Sequence, residues 1–492
     1  MNILLVNPET PCTFWSFRNA LKFVSKKSSE PPLSLLTVAA MLPKSWSLKL
    51  IDMNVTALKD KHIQWADYVF LGGLDVQKES FKQVVNRCNK LGTSIVAGGP
   101  MCTMDHDEFL GVDHFVLNEA EITLPLFLED LQEGNLKHVY SSTDFPDITK
   151  TPAPVWELLD LSKYATISIQ YSRGCPFNCD FCTITKLNGR YPRTKTTTQF
   201  LAELDGIYNL GWRDGIFIVD DNFIGNKKIV KNELLPALIE WGKKRNFPFN
   251  YITETSINLV DDEELVDLMV QAGFDSAFIG IETVNDNSLM ECGKTQNLKR
   301  DMTECVYKLH KKGIQVAGGF IVGFDNDPAT IFEQMINFIQ KSGIVTAMVG
   351  LLNAPKGTKL FQRLKSENRL LNTMSGNNMD GSLNFIPKMD YKKLISGYKN
   401  ILDTIYSQKE FYHRVKSFLK MYNFRNVKVR TIKWRDIRAL FRSMFILGIL
   451  ERGRLYYWKL FFFSLTKHPE KFALTITLAI YGFHFRKVIQ TI

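Results

Sequence analysis

Tyr171-Ser-Arg-Gly-Cys175-Pro-Phe-Asn-Cys179-Asp-Phe-Cys182 is the stretch on which the reading of this 492-residue chain turns. Three cysteines fall within it, and the other five, at 12, 88, 102, 292 and 305, are scattered. Secreted disulfide frameworks are shorter and denser in cysteine, so the trio reads as a metal site in a reducing compartment. Thiolates at x3 and x2 spacing can wrap one compact iron–sulfur cluster. A [4Fe–4S] cube held by three cysteines keeps one iron free of protein ligands, and a small molecule can coordinate there. The competing reading is a structural zinc site, which calls for a fourth ligand and usually for paired Cys or Cys/His sets. No second pair follows; Cys292 and Cys305 stand far off and well apart.

The motif lies just past an apolar run at 167–171. Further strand-like runs at 215–219, 250–253, 277–281, 316–322 and 346–351 alternate with helical stretches. One of these, 262–272, opens on acidic residues and stops at Gly273. Six such units predict a partial (β/α)6 barrel whose chemistry sits where the strands end. Upstream, runs at 2–6, 48–52, 68–71, 94–97 and 114–117 surround helical patterns at 34–42 and 81–91. That alternation predicts a doubly wound parallel sheet. A Pro- and Ser-bearing connector joins the two, and beyond Pro387 the chain turns helical, aromatic and basic. The expected organisation is α/β throughout its first two units: a doubly wound domain (1–132), a linker (133–160), a partial barrel (161–365) and a mainly helical, basic C-terminal region (366–492).

Hydrophobic residues make up 45% of the chain and charged residues 23%, enough to bury sizeable cores. The start has neither a basic n-region nor a long apolar h-region, and no run of about 18 apolar residues occurs. Neither a signal peptide nor a spanning helix is expected, and the expected location is the cytoplasm. The net charge of +10 is uneven: from Phe411 onward there are 17 Lys/Arg and 3 Asp/Glu, a local +14, which leaves −4 for the first 410 residues. No nucleic-acid motif accompanies this charge, so no nucleic-acid partner is expected. Two readings of the tail stay open: a peripheral contact with the inner face of a membrane, or a helical cap on the barrel.

The Cys-x3-Cys-x2-Cys spacing, with Phe181 before the last cysteine, resembles the signature of the radical S-adenosylmethionine (SAM) superfamily. The resemblance implies Cys175, Cys179 and Cys182 as ligands of a [4Fe–4S] cluster and SAM on the open iron. It continues at the later strand ends. Asp220-Asp221-Asn222 stands where the family holds the SAM amino group, and a carboxylate suits an ammonium; a helix N-cap is the alternative. Glu254 and Ser256 stand where ribose or carboxylate contacts are placed. Glu282 closes the fourth barrel strand, either facing the mouth or serving as a salt-bridge partner. Gly319, Ile321 and Gly323 resemble the adenine-contacting strand, where backbone reads the base; packing alone is the alternative. Tyr171, Arg173, Arg190 and Arg193 are further pocket candidates.

Gly72-Gly73-Leu74 and Gly98-Gly99-Pro100 resemble two strand-end motifs of cobalamin-binding domains, where glycine lets a corrin lie against backbone. Glu119, followed by Glu121, stands where corrin-edge contacts are implied. The usual Asp-x-His-x-x-Gly motif is replaced by Asn7-Pro8-Glu9-Thr10, so no histidine ligand to cobalt is expected there, and residues near 74–77 are expected to shield the lower face. His106 and His114 read as surface or packing residues. Thr13 to Phe17, Glu291 to Lys294 and Ser375 to Gly381 extend the resemblance to the branch that includes hopanoid methylases. It implies a cobalamin-dependent C-methyltransferase acting on an unactivated carbon of a small-molecule or lipid-like substrate, with an electron donor such as ferredoxin or flavodoxin. The alternatives are a cobalamin-containing radical SAM enzyme doing ring closure, rearrangement or oxidation, and a non-catalytic cobalamin or metal sensor.

Overall fold

The computed structural model describes residues 1–371, 374–424 and 433–492. The first sheet is built from β1 (Asn2–Asn7), β2 (Ser47–Asp52), β3 (Tyr68–Gly72), β4 (Ser94–Gly98), β5 (His114–Val116) and β6 (Val139–Tyr140). All its pairings are parallel, in the order β2-β1-β3-β4-β5-β6. Helices cover both faces. Leu4 and Val6 therefore join one apolar cluster while Ile3 and Leu5 join another, which is why β1 reads as an unbroken apolar run.

The expected linker, 133–160, begins inside this sheet. Val139 and Tyr140 pair with Phe115 and Val116, and Tyr140 is buried. Two residues are too few to show alternation, so the sequence pattern hides the sixth strand.

The second sheet follows. After β7 (Ile167–Ile169), a short antiparallel pair, β8 (Ser172–Arg173) and β9 (Arg193–Thr194), brackets the cysteine loop. Then come β10 (Gly215–Ile218), β11 (Asn250–Thr255), β12 (Phe274–Glu282), β13 (Gln315–Val322) and β14 (Ala347–Leu351). The order β14-β13-β12-β11-β10-β7 is parallel throughout, a six-stranded partial barrel. Side chains alternate. Ile167, Ile216, Ile218, Tyr251, Ile279 and Val316 pack outward into the helical layer. Ser168, Phe217, Ile252, Glu254, Phe278 and Ile321 take the opposite face. The helix Glu263–Ala272 starts as expected: the Asp262 side chain accepts from the Leu265 amide.

Beyond the barrel, helices Tyr391–Ile405, Gln408–Met421, Trp434–Phe445, Arg454–Lys467 and Phe472–Ile489 form the C-terminal region. The last returns to the start of the chain. Phe485 stacks on Phe14 at 4.0 Å, and His484 Nε2 is hydrogen-bonded to the Phe14 carbonyl at 3.0 Å. No spanning helix was expected, yet Pro469–Ile489 is long and apolar enough to cross a membrane, with mean hydropathy 1.3; half of that stretch is buried inside the protein.

Candidate functional site

The cysteine loop is held from every side by backbone. Gly174 adopts φ +97°, and a Cβ there would stand 2.7 Å from the Tyr191 carbonyl, so glycine is required. The Cys175 amide donates to Gly189 O, and the Asp180 amide donates to Cys292 O at 2.9 Å. The Leu360 amide donates to Asp180 O. All three cysteines are free thiols and partly buried. Burial pushes their pKa values up, Cys182 to about 12, and the sulfurs lie close enough for each other's charge to add to the rise. Binding a cationic centre would remove that cost by taking the thiolates. Among the described residues no three His, Cys, Asp or Glu side chains converge as ligands of one ion must. A cluster asks less, since each thiolate reaches its own iron.

Asp220 and Asp221 brace this loop. The buried Asp220 carboxylate accepts from the Tyr171 amide (2.7 Å), the Ser172 amide (2.8 Å) and Ser172 Oγ (2.6 Å). Asp221 accepts from the Gly174 amide (2.7 Å) and Asn188 Nδ2 (2.9 Å). Asn222 and Ser256 bond each other, tying the end of β10 to the end of β11. Tyr171 lies in the core against Phe200. The carboxylates expected to hold a ligand ammonium thus spend these oxygens on the cysteine loop, and Tyr171 is not a pocket residue.

Glu254 is different: its side chain makes no hydrogen bond among the described residues, and its carboxyl is pushed up to about 7 by burial, with Asp221, Glu30 and Asp220 adding. Glu30 arrives from the first domain, where Ser168 Oγ donates to it at 2.5 Å. Sequence reading missed it, because the bond spans 138 positions.

At the end of β12, Glu282 sits at φ +64°, a conformation rare for a side-chain-bearing residue. It accepts from Lys294 Nζ at 2.5 Å; Glu282 is buried and Lys294 largely so. The pair occupies the space a Cβ on Gly280 would need: Nζ lies 2.6 Å from that position. Burial works against the Lys294 charge, and the Glu282 carboxylate beside it outweighs that cost and keeps the ammonium protonated. A buried cation therefore faces the cysteines. On the next strand Gly319 packs under Phe278, Ile321 is half-buried, and the Gly323 amide donates to Asp327.

In the first domain the strand-end glycines serve close packing. A Cβ on Gly98 would lie 2.6 Å from Val116 O; Gly99, at φ +92°, would place its Cβ 3.5 Å from Gly73 O. Gly72 packs on Leu35 and Gly73 on Met101 and Phe81, while Pro100 opens the helix Pro100–Asp105. Beside them Leu74 is 55% exposed. Gln77 is buried and donates to Pro8 O at 2.7 Å. His114 is bonded to Lys137 O, and His106 packs on Phe115.

Glu119 meets neither solvent nor an open edge. It pairs with Arg173 (2.6 Å) and Arg193 (2.6 Å), and Glu121 pairs with Arg173 (2.8 Å). This network joins the two domains and accounts for two of the pocket arginines. The third, Arg190, reaches Pro176 O at 3.3 Å.

Set against known proteins, residues 169–339 match the radical SAM superfamily, and residues 358–492 match a domain of unknown function, DUF4070. An uncharacterized methyltransferase of Synechocystis is 38% identical over 99% of this chain and 91% of its own. The hopanoid C-2 methylase of Rhodopseudomonas palustris is 32% identical over 82% of this chain and 76% of its own. Among solved structures, the cobalamin-dependent radical enzyme OxsB, with aqua-cobalamin and SAM bound, has a TM-score of 0.62 at 15% identity. It covers 99% of this chain and 80% of that one. The chain belongs to the radical SAM methyltransferase family.

Proposed function

We propose that this protein is a cobalamin-dependent radical SAM C-methyltransferase acting on an unactivated carbon of a lipid-like, hopanoid-type substrate. The observation that carries the chemistry is the clustered trio of free thiols facing the buried Lys294 cation. The relation to the hopanoid C-2 methylase supports the substrate class.

Cys175, Cys179 and Cys182 would hold the [4Fe–4S] cluster. Glu254, Glu282, Gly319, Ile321 and Gly323 would border SAM, and the exposed Leu74 with the Gly72-Gly73 and Gly98-Gly99 backbone would lie against cobalamin. When bound, these groups supply hydrogen abstraction and the methyl group. The chain's own residues do the positioning: Asp220 and Asp221 fix the loop, and Asn222 with Ser256 fixes the strand ends. Trp15 stands in edge contact with Phe278 at 5.2 Å and offers an apolar wall to a hydrocarbon. A ferredoxin- or flavodoxin-type donor would supply the electron, and the basic C-terminal region would keep the enzyme at a membrane surface.

The test is anaerobic reconstitution with iron, sulfide and cobalamin, followed by assay of deoxyadenosine from SAM and of methylated lipid by mass spectrometry. Wild type should produce both, and Cys179→Ala should lose deoxyadenosine together with cluster iron. Deoxyadenosine with an unmethylated product carrying a new ring or oxidation would replace methyl transfer by the alternative chemistry.

A further inference from the structure

Helix Trp434–Phe445 is fastened to the body by one side only. Arg435 pairs with Asp214 (2.7 Å), and Arg442 donates to Lys22 O and to Ser25 Oγ at 2.9 Å. Its other side carries Trp434, Arg438, Phe441 and Phe445, spaced four, three and four residues apart, a single stripe on a helix. Trp434 is 80% exposed and Phe441 64%. The stripe continues through Ile449 and onto helix Arg454–Lys467 as Leu455 and Phe462. The two helices are joined there: Trp458 Nε1 donates to Gly448 O at 2.9 Å, and Phe462 stacks on Trp458 at 5.8 Å. Of the 22 exposed large apolar side chains among the described residues, nine lie between Trp434 and Leu465. Such a concentration on one face marks a docking surface rather than scattered surface residues.

The charge on this face selects the occupant. Between Lys433 and Lys467 there are eight Lys/Arg and two Asp/Glu. Arg438, Arg452, Arg454, Lys459 and Lys467 are exposed, and none makes an ion pair with a carboxylate among the described residues. Aromatic side chains that project beside unpaired cations match an anionic bilayer, whose headgroups take the cations while its acyl boundary takes the rings.

We propose that this two-helix face docks on an anionic lipid surface, with Trp434, Phe441 and Phe462 entering the headgroup–acyl boundary. The proposal rests on the lipid-like substrate reading for its purpose, not for its geometry. Helix Phe472–Ile489, next in the chain, packs on Phe14, and Trp15 reaches the barrel interior. The docked face is therefore one helical layer from the wall that would meet substrate.

The experiment is sedimentation of the full chain with vesicles of phosphatidylcholine alone and of phosphatidylcholine mixed with phosphatidylglycerol, without SAM or substrate. Wild type should bind the mixed vesicles at least about tenfold better, and added salt should weaken that binding. Phe441→Ser with Phe462→Ser, and separately Arg438→Gln with Arg454→Gln, should each cost about tenfold or more at unchanged thermal unfolding. Bromolipid quenching of fluorescence should fall in Trp434→Phe. The proposal is overturned if the mixed vesicles leave wild type in solution, if both vesicle types bind it alike, or if the variants bind like wild type. It is equally overturned if the face proves to be a dimer contact, shown by a concentration-dependent mass that Phe441→Ser and Phe462→Ser abolish. Vesicle binding without methylation of any lipid would keep the docking surface and sink the lipid-substrate reading. Methylation of a lipid in detergent by a protein that ignores vesicles would do the reverse.

Discussion

The two parallel sheets end in opposite ways. At the carboxyl ends of β3 and β4 in the first, side chains are withheld: Gly98 and Gly99 come close to backbone, Gly72 and Gly73 are packed by Leu35, Met101 and Phe81, and Leu74 beside them projects. At the ends of the second, charge is concentrated: Asp220, Asp221, Glu254, Glu282 and Lys294 lie there partly or wholly buried. A broad macrocycle needs a flat, open floor, whereas a compact charged ligand and a thiolate-bound cluster need fixed counter-charges. Under the proposed function, the two parallel sheets would meet these demands through which side chains finish their strands.

That contrast can be broken by substitution. The largest effect is expected at the charged sheet, where Lys294→Met leaves the Glu282 carboxylate buried and unpaired. Removing one partner of such a pair costs about 3–5 kcal/mol, and Glu282→Gln added to it should restore a good part of the loss. Thermal unfolding of the two variants beside wild type decides it; an unchanged Lys294→Met would mean that the pair does not hold the strand end.

A smaller effect should appear with pH. The folded Glu254 carboxyl titrates near 7, above its ordinary value of 4.5. A raised acid pKa favours the neutral form, so its stabilisation is complete below about 4.5 and is lost as pH rises to about 7, a span worth up to about 3 kcal/mol. Glu254→Gln should flatten the stability profile in that window; a profile parallel to wild type would remove Glu254 from the buried set.

The glycine-floored sheet should respond least. Gly99→Ala forces a side chain onto φ +92°, ψ 179°, a region open essentially to glycine alone, at about 1–3 kcal/mol. Leu74→Ala should shift stability by less than about 0.5 kcal/mol yet reduce the corrin that stays on the protein through gel filtration. Loss of stability without loss of corrin from Leu74→Ala would reverse the roles assigned to floor and projection.

Much of this was legible from residues alone, because parallel strands covered on both faces announce themselves as apolar runs: ten of the runs read in sequence lie on the two sheets within a few residues of their ends, and the eleventh, at 346–351, does as well. The cysteine trio was legible for the same local reason. What escaped was set by tertiary distance. Lys294 is twelve positions from Glu282 and on another element, Glu30 meets Ser168 from across the domain boundary, and Glu119 finds its arginines 54 and 74 positions away. Asp220 and Asp221 follow the end of β10 as the pattern predicts, but spacing cannot reveal that backbone amides claim their oxygens. Strand β6 was too short to leave a pattern.

Arg173 sits one residue before Gly174 and two before Cys175, and it is the residue that Glu119 and Glu121 grip. The first domain is therefore registered against the cysteine loop itself rather than against the outer helices of the barrel. The distance between the two strand-end regions is gauged by a clasp of four charged side chains next to the first cysteine. Any hinge that moved the halves apart would have to break that clasp or drag the cysteine loop with it, so the spacing between the two strand-end regions behaves as a fixed dimension of the folded chain.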